Sequence, residues 1–502
     1  MIYKVSIKKI VIIASVCALL AGCAVGPNFK SPEAPKNNSY TGRPLPAETV
    51  AAPLHGGAAQ HLISGQDIPG EWWTLFHSAE LDQVIHKALE DNPTFEAAQA
   101  TLRQAQENLN AAVGSSLYPA VDANATVSHQ KISGAAFGQP SSEFSPYTLY
   151  NASVNVSYTI DLFGGARREL EALQSQVDYQ RFQLQAAYLT ITANIVTTAV
   201  KEALLRAQIL ATQEIIAAQD KQLMVVEQQF QLGGVARADV LAQQTQLAQT
   251  QSTLPPLEKE LAQTRHQLSV LMGRLPSEAT VLPEFTLEGL QLPVNLPVSL
   301  PSSLVKQRPD IGASEALLHE ASAQIGVATA NQYPQFTING GYGSEAISSG
   351  RLFTNGTAIW SFGGGLLLPL FHGGELTAKR RAAVAAYDQA AALYRSTVLQ
   401  AFQNVADVLR ALDADAKTLK AQSEADVYAK ATLDLTQKQF QLGAVSYLSL
   451  LNAQRQYQQT RISLIQAQAA RFADTAALFQ ALGGGWWNRP AIEAMSGSTK
   501  KE

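Results

Sequence analysis

Two very long stretches without glycine or proline constrain this chain more than any other feature. The first runs from 166 to 232 and the second from 375 to 442. Along both, apolar residues recur three, four or seven positions apart, which is the pattern of a helical seam. A helix of about 67 residues would be about 100 Å long. No globular core needs that length, so the sequence predicts long helical rods.

A glycine follows each of these stretches. Gly233 and Gly443 can supply the positive φ that ends a helix. Further helical patterns then follow over about 236–273 and 446–482. The sequence therefore predicts a helical hairpin in each half of the chain.

The two halves also resemble each other. Residues 229–250 and 439–460, which are 210 positions apart, are identical at 11 of 22 positions. Asn92-Pro93 corresponds to Arg308-Pro309, and a Tyr-Pro and a Leu-Phe landmark follow in the same order in each half. We therefore predict an internal duplication.

Alternation of apolar and polar residues predicts two strands per copy. They lie at about 119–132 and 148–163 in the first copy and at about 334–346 and 357–371 in the second. Strands of this length suit a tilted membrane crossing, although a soluble sheet would alternate in the same way.

Four strands cannot close a barrel, and open sheet edges are not tolerated in lipid. Three copies around one axis would supply 12 strands, an even number within the bacterial range. The predicted fold class is therefore mixed α and β. Each chain would contribute four strands to a trimeric 12-stranded membrane β-barrel.

The first 22 residues are typical of an export signal. Three lysines precede an apolar stretch at 10–20 that is too short to span a bilayer. The ending Leu20-Ala21-Gly22-Cys23 resembles a bacterial lipobox, which would make Cys23 the acylated first residue of the mature chain. An ordinary signal with an incidental cysteine is the alternative. Alanine at position 24, where aspartate usually retains enterobacterial lipoproteins in the inner membrane, implies sorting to the outer membrane.

Composition and charge exclude several classes of protein. The chain is 46% hydrophobic, too apolar for a disordered protein, and its formal charge of −4 with no basic run gives no reason to expect nucleic acid. The chain has no second long apolar run, so a bundle of membrane-spanning helices is not expected.

No pattern of an enzyme or of a cofactor site stands out. The eight histidines are scattered, and we expect no close set of metal ligands, no cofactor and no catalytic residue. Trp72 and Trp73 are interpreted as packing anchors. Asp407, Asp413 and Asp415 are interpreted as a solvated helix face.

Several motifs together resemble the TolC-type outer-membrane efflux factors, in the lipoprotein subgroup of tripartite (RND-type) efflux systems. The resemblance covers nearly the whole mature chain. The motifs are Cys23–Phe29, Trp72–Phe76, Asn92-Pro93, Arg308–Ile311, Tyr333-Pro334, Leu442-Gly443 and Tyr447-Leu448 with Asn452–Arg455.

This resemblance implies a homotrimeric channel-tunnel, in which the 12-stranded outer-membrane barrel continues into a long antiparallel α-helical barrel that extends into the periplasm. It would work with a periplasmic adaptor protein and an inner-membrane transporter, as a passive conduit for drugs or other small toxic compounds. The exit duct of a type I protein secretion system shares the same tunnel and remains an alternative. A non-channel periplasmic scaffold lipoprotein is a weaker alternative, because such a protein does not need the strands.

In the resembled family, the turns after the long helices close the tunnel. Leu448 corresponds to a ring-forming leucine, and Asn452 stands where relatives often carry aspartate, as does Ser449 in some. Asp239 and Arg237 occupy the first turn. We expect an iris-like periplasmic gate that depends on Leu448 and binds cations more weakly than an aspartate ring would. Ordinary helix–helix packing is the alternative for Leu448, and an exposed polar residue at a helix start is the alternative for Asn452.

The predicted domain organisation follows from these patterns. The first three parts are the signal peptide at 1–22, a lipid-anchored segment and belt at 23–75, and a first repeat at 76–275, whose long helices span about 165–231 and 236–273. The remaining parts are a Pro-rich connector at 276–301, a second repeat at 302–483 and a tail at 484–502. The long helices of the second repeat span about 374–441 and 446–482.

Overall fold

A computed structural model describes residues 24–37, 39–133, 138 and 145–489 of the chain. The predicted signal peptide, Cys23 and the last 13 residues of the tail lie outside the described residues. The described residues form two compact units. One comprises the N-terminal stretch to Pro32 with Thr101–Arg181 and Ala313–Arg395, and the other comprises Glu33–Ala100, Phe182–Gly312 and the chain from Ser396 onward.

The fold is mixed α and β, as predicted. The strands are β1 (His61–Ser64), β2 (Ala120–Gln130), β3 (Tyr147–Ile160), β4 (Asn295–Val298), β5 (Gln335–Ala346) and β6 (Ala358–Leu367). The α-helices are α1 (Ala79–Asp91), α2 (Pro93–Leu117), α3 (Gly165–Gln231), α4 (Arg237–Leu271), α5 (Pro301–Gln307), α6 (Pro309–Ala330), α7 (Glu375–Gln441) and α8 (Tyr447–Ala481).

Both halves have the same order of elements. The first runs α2-β2-β3-α3-α4 and the second α6-β5-β6-α7-α8. Helices α3 and α7 have 67 residues each, and α4 and α8 have 35 each. In the described part of the chain, we find no helix whose length and apolarity would let it cross a membrane.

The first unit contains an antiparallel sheet with the strand order β2-β3-β5-β6. Its pairing aligns Ala123, Val154, Tyr342 and Trp360 in one row across the four strands. Tyr342 and Trp360 are exposed in the single chain. Since side chains alternate between the faces of a sheet, this row defines an apolar face.

The neighbouring row of the sheet carries different chemistry. Asp122, Asn155, Gly341 and Ser361 align one position further along the strands and therefore lie on the opposite face. The sheet is thus apolar on one face and mostly polar or small on the other, where Ile359 and Leu367 are the apolar exceptions on β6.

Two of the predicted strands end three or four residues early. β3 ends at Ile160 instead of 163, because the Asp161 carboxylate accepts a hydrogen bond from the Arg167 backbone N–H at 3.0 Å and turns the chain into α3. β6 ends at Leu367 instead of 371, shortly before Pro369, which has no N–H to donate to a sheet.

The second unit contains most of the long helices and a small parallel sheet. β4 lies inside the stretch predicted as a connector and pairs with β1, with Leu62 opposite Leu296. Period-two alternation could not reveal β1 and β4, because each has only four residues. The Pro-rich stretch is therefore partly a strand.

Trp72 and Trp73 pack in the interior of the second unit, as predicted. Both are buried, and the Trp72 ring stacks on Phe479 at 5.3 Å between centroids. The Trp73 indole N–H donates to Asp82 Oδ1 at 2.9 Å. These contacts hold the short 3-10 helix Trp72–Phe76 against α8 and α1.

We predict that Trp72→Ala lowers the free energy of unfolding by about 3–5 kcal/mol, because it leaves a large cavity in a fully packed site. Thermal or chemical unfolding of the purified protein measures this loss. Trp487→Ala is the matched control, since Trp487 is only partly buried and should lose much less. Equal losses in the two variants would contradict the role of Trp72 as an anchor.

Candidate functional site

The candidate site lies at the turns that join the long helices of the second unit. At the first turn, Gly233 has φ +74° and the Gly234 N–H donates to the Gln229 carbonyl at 2.7 Å. Asp239 accepts a hydrogen bond from the Ala236 N–H at 3.1 Å and so caps the start of α4. This capping contact accounts for Asp239, while Arg237 is exposed.

The second turn repeats this geometry. Gly443 has φ +72°, and the Ala444 N–H donates to the Gln439 carbonyl at 2.8 Å. Ser446 caps α8 by accepting from the Ser449 N–H at 3.4 Å. Both glycines therefore end their helices in the left-handed conformation that the sequence predicts.

Leu448 is unlike its neighbours on α8. It is 61% exposed in the single chain, whereas Tyr447, Leu450 and Leu451 are buried in a cluster with Val226 and Phe440. The side chain of Leu448 is therefore not used for packing within the chain. Asn452 and Ser449 are exposed as well. The structure thus places three of the five predicted gate residues at one accessible end of α8, while Arg237 and Asp239 lie at the start of α4.

Polar contacts between α4 and α8 lie next to this end. The Tyr447 hydroxyl donates to Gln243 Oε1, and the Gln243 amide donates to the Gln219 carbonyl at 2.9 Å. One step further from the turn, Arg455 Nε donates to Gln246 Oε1 at 2.6 Å. Burial raises the pKa of Tyr447 above its ordinary value, so this phenol stays a neutral donor.

Gln243 and Gln246 were not predicted from the sequence, and Tyr447 and Arg455 were recognised only as parts of a motif. Glutamine is frequent along these helices, so nothing distinguishes these two positions from the others. A polar ladder between two helices becomes recognisable only when their relative register is known.

The N-terminal segment is attached to the first unit by one arginine. Arg168 lies at the start of α3 and is buried. Its Nε donates to the Val25 carbonyl at 3.2 Å, and its Nη2 donates to Asn28 Oδ1 at 2.7 Å. The Val25 N–H donates to the Phe163 carbonyl at 2.9 Å. The chain directly after Cys23 is therefore bonded to the end of the β3–α3 connection.

Two further groups complete this attachment. Phe29 stacks on the His319 ring at 4.3 Å between centroids, and His319 Nε2 lies 2.9 Å from Glu171 Oε1. Burial acts to raise the pKa of Glu171, but hydrogen bonds from Arg168 and His319 outweigh it and hold that pKa below its ordinary value. Cys23 itself lies outside the described residues.

Two expectations from the sequence are wrong in part. Glu71, Asp82 and His86 come together, so a close set of possible metal ligands does exist. It forms because Asp82 and His86 are one turn apart on α1, and Glu71 precedes the neighbouring 3-10 helix. Asp82 Oδ1 already accepts from Trp73 Nε1 and lies 3.3 Å from His86 Nε2, so the set orients the tryptophan.

The second error concerns the acidic residues of α7. Asp407 is exposed, as expected for a solvated helix face, but Asp415 is half-buried and its Oδ2 atom is buried without a hydrogen-bond donor. The reason is that α8 covers this part of α7, which periodicity along one helix does not reveal.

Comparison with known proteins identifies the family. The model of the outer membrane efflux protein family matches residues 84–274 and 300–484, which is more than half of the chain. The chain therefore belongs to this family, whose members form outer-membrane channels of efflux pumps. The protein is such a channel, located in the outer membrane.

Particular relatives agree with this assignment. The pyoverdine export outer membrane protein OpmQ of Pseudomonas putida is 30% identical and covers 88% of this chain and 94% of its own length. The probable outer membrane lipoprotein SilC of Salmonella typhimurium is 25% identical and covers 93% of this chain and 97% of its own.

Solved structures show the same fold. The outer-membrane channel OprN matches with a TM-score of 0.82 at 25% identity, over 92% of this chain and 100% of its own. The open state of the MtrE outer membrane channel of Neisseria gonorrhoeae matches with a TM-score of 0.79 at 25% identity, over 92% and 99% of the two chains.

We predict that Tyr447→Phe lowers the free energy of unfolding by about 1–3 kcal/mol, because it leaves the buried Gln243 oxygen without its donor. The destabilisation should be local to the turn, and it should be observed as faster hydrogen exchange in peptides from 219–247. Tyr428→Phe on α7 is the control, since Tyr428 is exposed. Unchanged exchange in Tyr447→Phe would show that the hydroxyl contributes nothing.

Proposed function

We propose that three copies of this chain assemble into a conduit that exports small molecules passively. Each copy contributes β2, β3, β5 and β6 to a 12-stranded barrel in the outer membrane. Helices α3, α4, α7 and α8 of each copy form an antiparallel α-helical tunnel that extends into the periplasm. Relatives named for pyoverdine export and for toluene efflux support small organic molecules as cargo.

The two-faced sheet is the observation that carries this proposal. Its apolar face exposes three large side chains on β6, which are Trp360, Phe362 and Leu366, and two valines on β2, which are Val121 and Val127. Contiguous exposed aromatic and aliphatic side chains favour contact with lipid, while the row through Asp122 and Ser361 suits a watery lumen. The outer strands β2 and β6 each have one unpaired edge among the described residues, which a neighbouring copy would cover.

We also propose that the chain arose by duplication. The family model matches twice, and the equal lengths of α3 and α7 and of α4 and α8 support two copies of one unit. A periodic arrangement of six such units in a trimer would give the even strand number that bacterial barrels have.

The anchor and the partners belong to the same proposal. Removal of the signal peptide at 1–22 would leave Cys23 as an acylated N-terminus inserted in the outer membrane. The attachment of Val25 and Asn28 to Arg168 supports a fixed position for that lipid relative to β3. A periplasmic adaptor and an inner-membrane transporter would supply the substrate and the energy.

The gate that we propose is a ring of Leu448 side chains at the periplasmic end. An apolar ring blocks ions by excluding water, whereas a carboxylate ring holds cations. Since Asn452 and Ser449 are neutral and Asp239 is engaged in capping, Leu448 is the main barrier in this account.

We predict that Leu448→Ala raises the resting conductance of the channel, because a smaller side chain widens the ring and lets water enter. Single-channel recording in planar lipid bilayers measures this. Leu399→Ala is the matched control, because Leu399 is an exposed leucine of α7 that is remote in sequence from the turn. A conductance that equals that of the unmodified protein in Leu448→Ala would remove Leu448 from the gate.

A further inference from the structure

A buried arginine in the second unit joins α8 to the N-terminal segment 49–60. Arg471 is 1% exposed. Its Nη1 donates to the Gly56 and Ala58 carbonyls at 3.2 and 3.0 Å, and its Nη2 donates to Gln60 Oε1 at 2.8 Å. We call this set of contacts the Arg471 hub. A buried cation with neutral partners needs a negative charge nearby, because burial of an uncompensated charge is costly.

Two aspartates beside the hub supply this charge. Asp474 lies one helical turn after Arg471 on α8, and Asp415 faces both of them from α7. Leu419, one turn after Asp415, is buried with Leu464 and Ala52, so α7, α8 and the N-terminal segment pack together here. The two carboxyl groups therefore meet inside a packed joint of three chain segments.

One proton would stabilise this pair of carboxyl groups. Asp415 Oδ2 is buried and has no hydrogen-bond donor, and the group beside it is a second carboxyl. Two carboxylates in contact repel each other, whereas a carboxyl and a carboxylate can form one O–H···O⁻ hydrogen bond. Burial, followed by the contact with Asp474, raises the pKa of Asp415 to about 7, although Arg471 opposes this. Burial lowers the pKa of Arg471 to about 10, so it stays charged near neutral pH.

Other titratable groups near the joint have partners of their own. On α7, Asp413 is bonded to Lys417 at 2.7 Å. The titratable residue of the 49–60 segment is His55, whose Nε2 lies 2.8 Å from the Leu287 and Leu290 carbonyls. On α8, Asp474 and Arg471 are the charged groups that act on Asp415.

We propose that Asp415 and Asp474 share one proton and form a pH-sensitive joint, which holds α7 against α8 and the Arg471 hub at acidic pH and loosens as the pH rises to neutral. With one proton, the charges of the pair and of Arg471 cancel. Loss of the proton leaves two carboxylates in contact and a net negative charge in the joint. The joint lies on the helical hairpin of α7 and α8, whose turn contains Gly443. The pH response of the joint does not depend on the proposed channel function.

The sign of the pH effect follows from linkage. The folded protein keeps a proton that a free aspartate, with a pKa of about 3.9, has already lost. The contribution of this proton to stability is therefore complete below about pH 4. It declines as the pH rises and is lost once the pH has passed about 7, the folded-state pKa of Asp415. One such proton changes an opening equilibrium by at most about tenfold per pH unit.

The test is hydrogen exchange of the detergent-purified mature protein between pH 5 and pH 8. Protection in peptides from 408–420 and 466–478 is compared with the unfolded chain at each pH, which removes the intrinsic pH dependence of exchange. We expect local opening in the unmodified protein to increase by up to about tenfold per unit up to pH 7 and then to level off.

Asp415→Asn should abolish this increase, and its joint should be better protected than that of the unmodified protein at pH 8 but not at pH 5. Asp474→Asn should move the increase to lower pH, because burial alone then raises the pKa of Asp415 while Arg471 still lowers it. Asp407→Asn, an exposed aspartate of the same helix, should behave like the unmodified protein.

Two results would overturn the proposal. One is an unmodified protein whose protection in these peptides does not change between pH 5 and pH 7. The other is Asp415→Asn with the same pH dependence as the unmodified protein, or with lower protection at pH 8, since a merely structural aspartate would destabilise the joint at every pH.

Discussion

Backbone hydrogen-bonding groups must find partners wherever water is absent, and this requirement governs the whole molecule. The sheet β2-β3-β5-β6 has an exposed apolar face and two outer strands with unpaired edges among the described residues. A chain with such a sheet cannot be complete alone in a membrane. The proposed trimer and the proposed barrel both follow from this one constraint.

The second unit meets a different requirement, because long helices have few ways to fix their register. Here the register is fixed by polar groups inside the packing: Tyr447 with Gln243 and Arg455 with Gln246 near the turns, and the Arg471 hub further along α8. Such contacts are specific because a buried polar group without its partner is costly. They leave Leu448 free for a role outside the single chain.

The sequence predicted most of the elements, because each has a strong local signal. The absence of glycine and proline up to Gly233 and Gly443 predicts α3 and α7, and both glycines have positive φ. Contacts between distant segments could not be predicted. Three contacts depend on a tertiary arrangement that periodicity does not encode. They are the pairing of β1 with β4, the contact of Asp415 with Asp474, and the hydrogen bond from Arg168 to Asn28. The exposed position of Leu448 was expected only from the family resemblance.

The number of copies tests the central claim most directly. We would measure the mass of the native complex formed by the detergent-extracted mature protein, with the mass of the denatured chain as reference. We predict three copies per complex, and a mass of the denatured chain that exceeds the sequence mass because Cys23 is acylated. A monomer that persists in every mild detergent would contradict it, because a single sheet with two open edges would then be sufficient by itself.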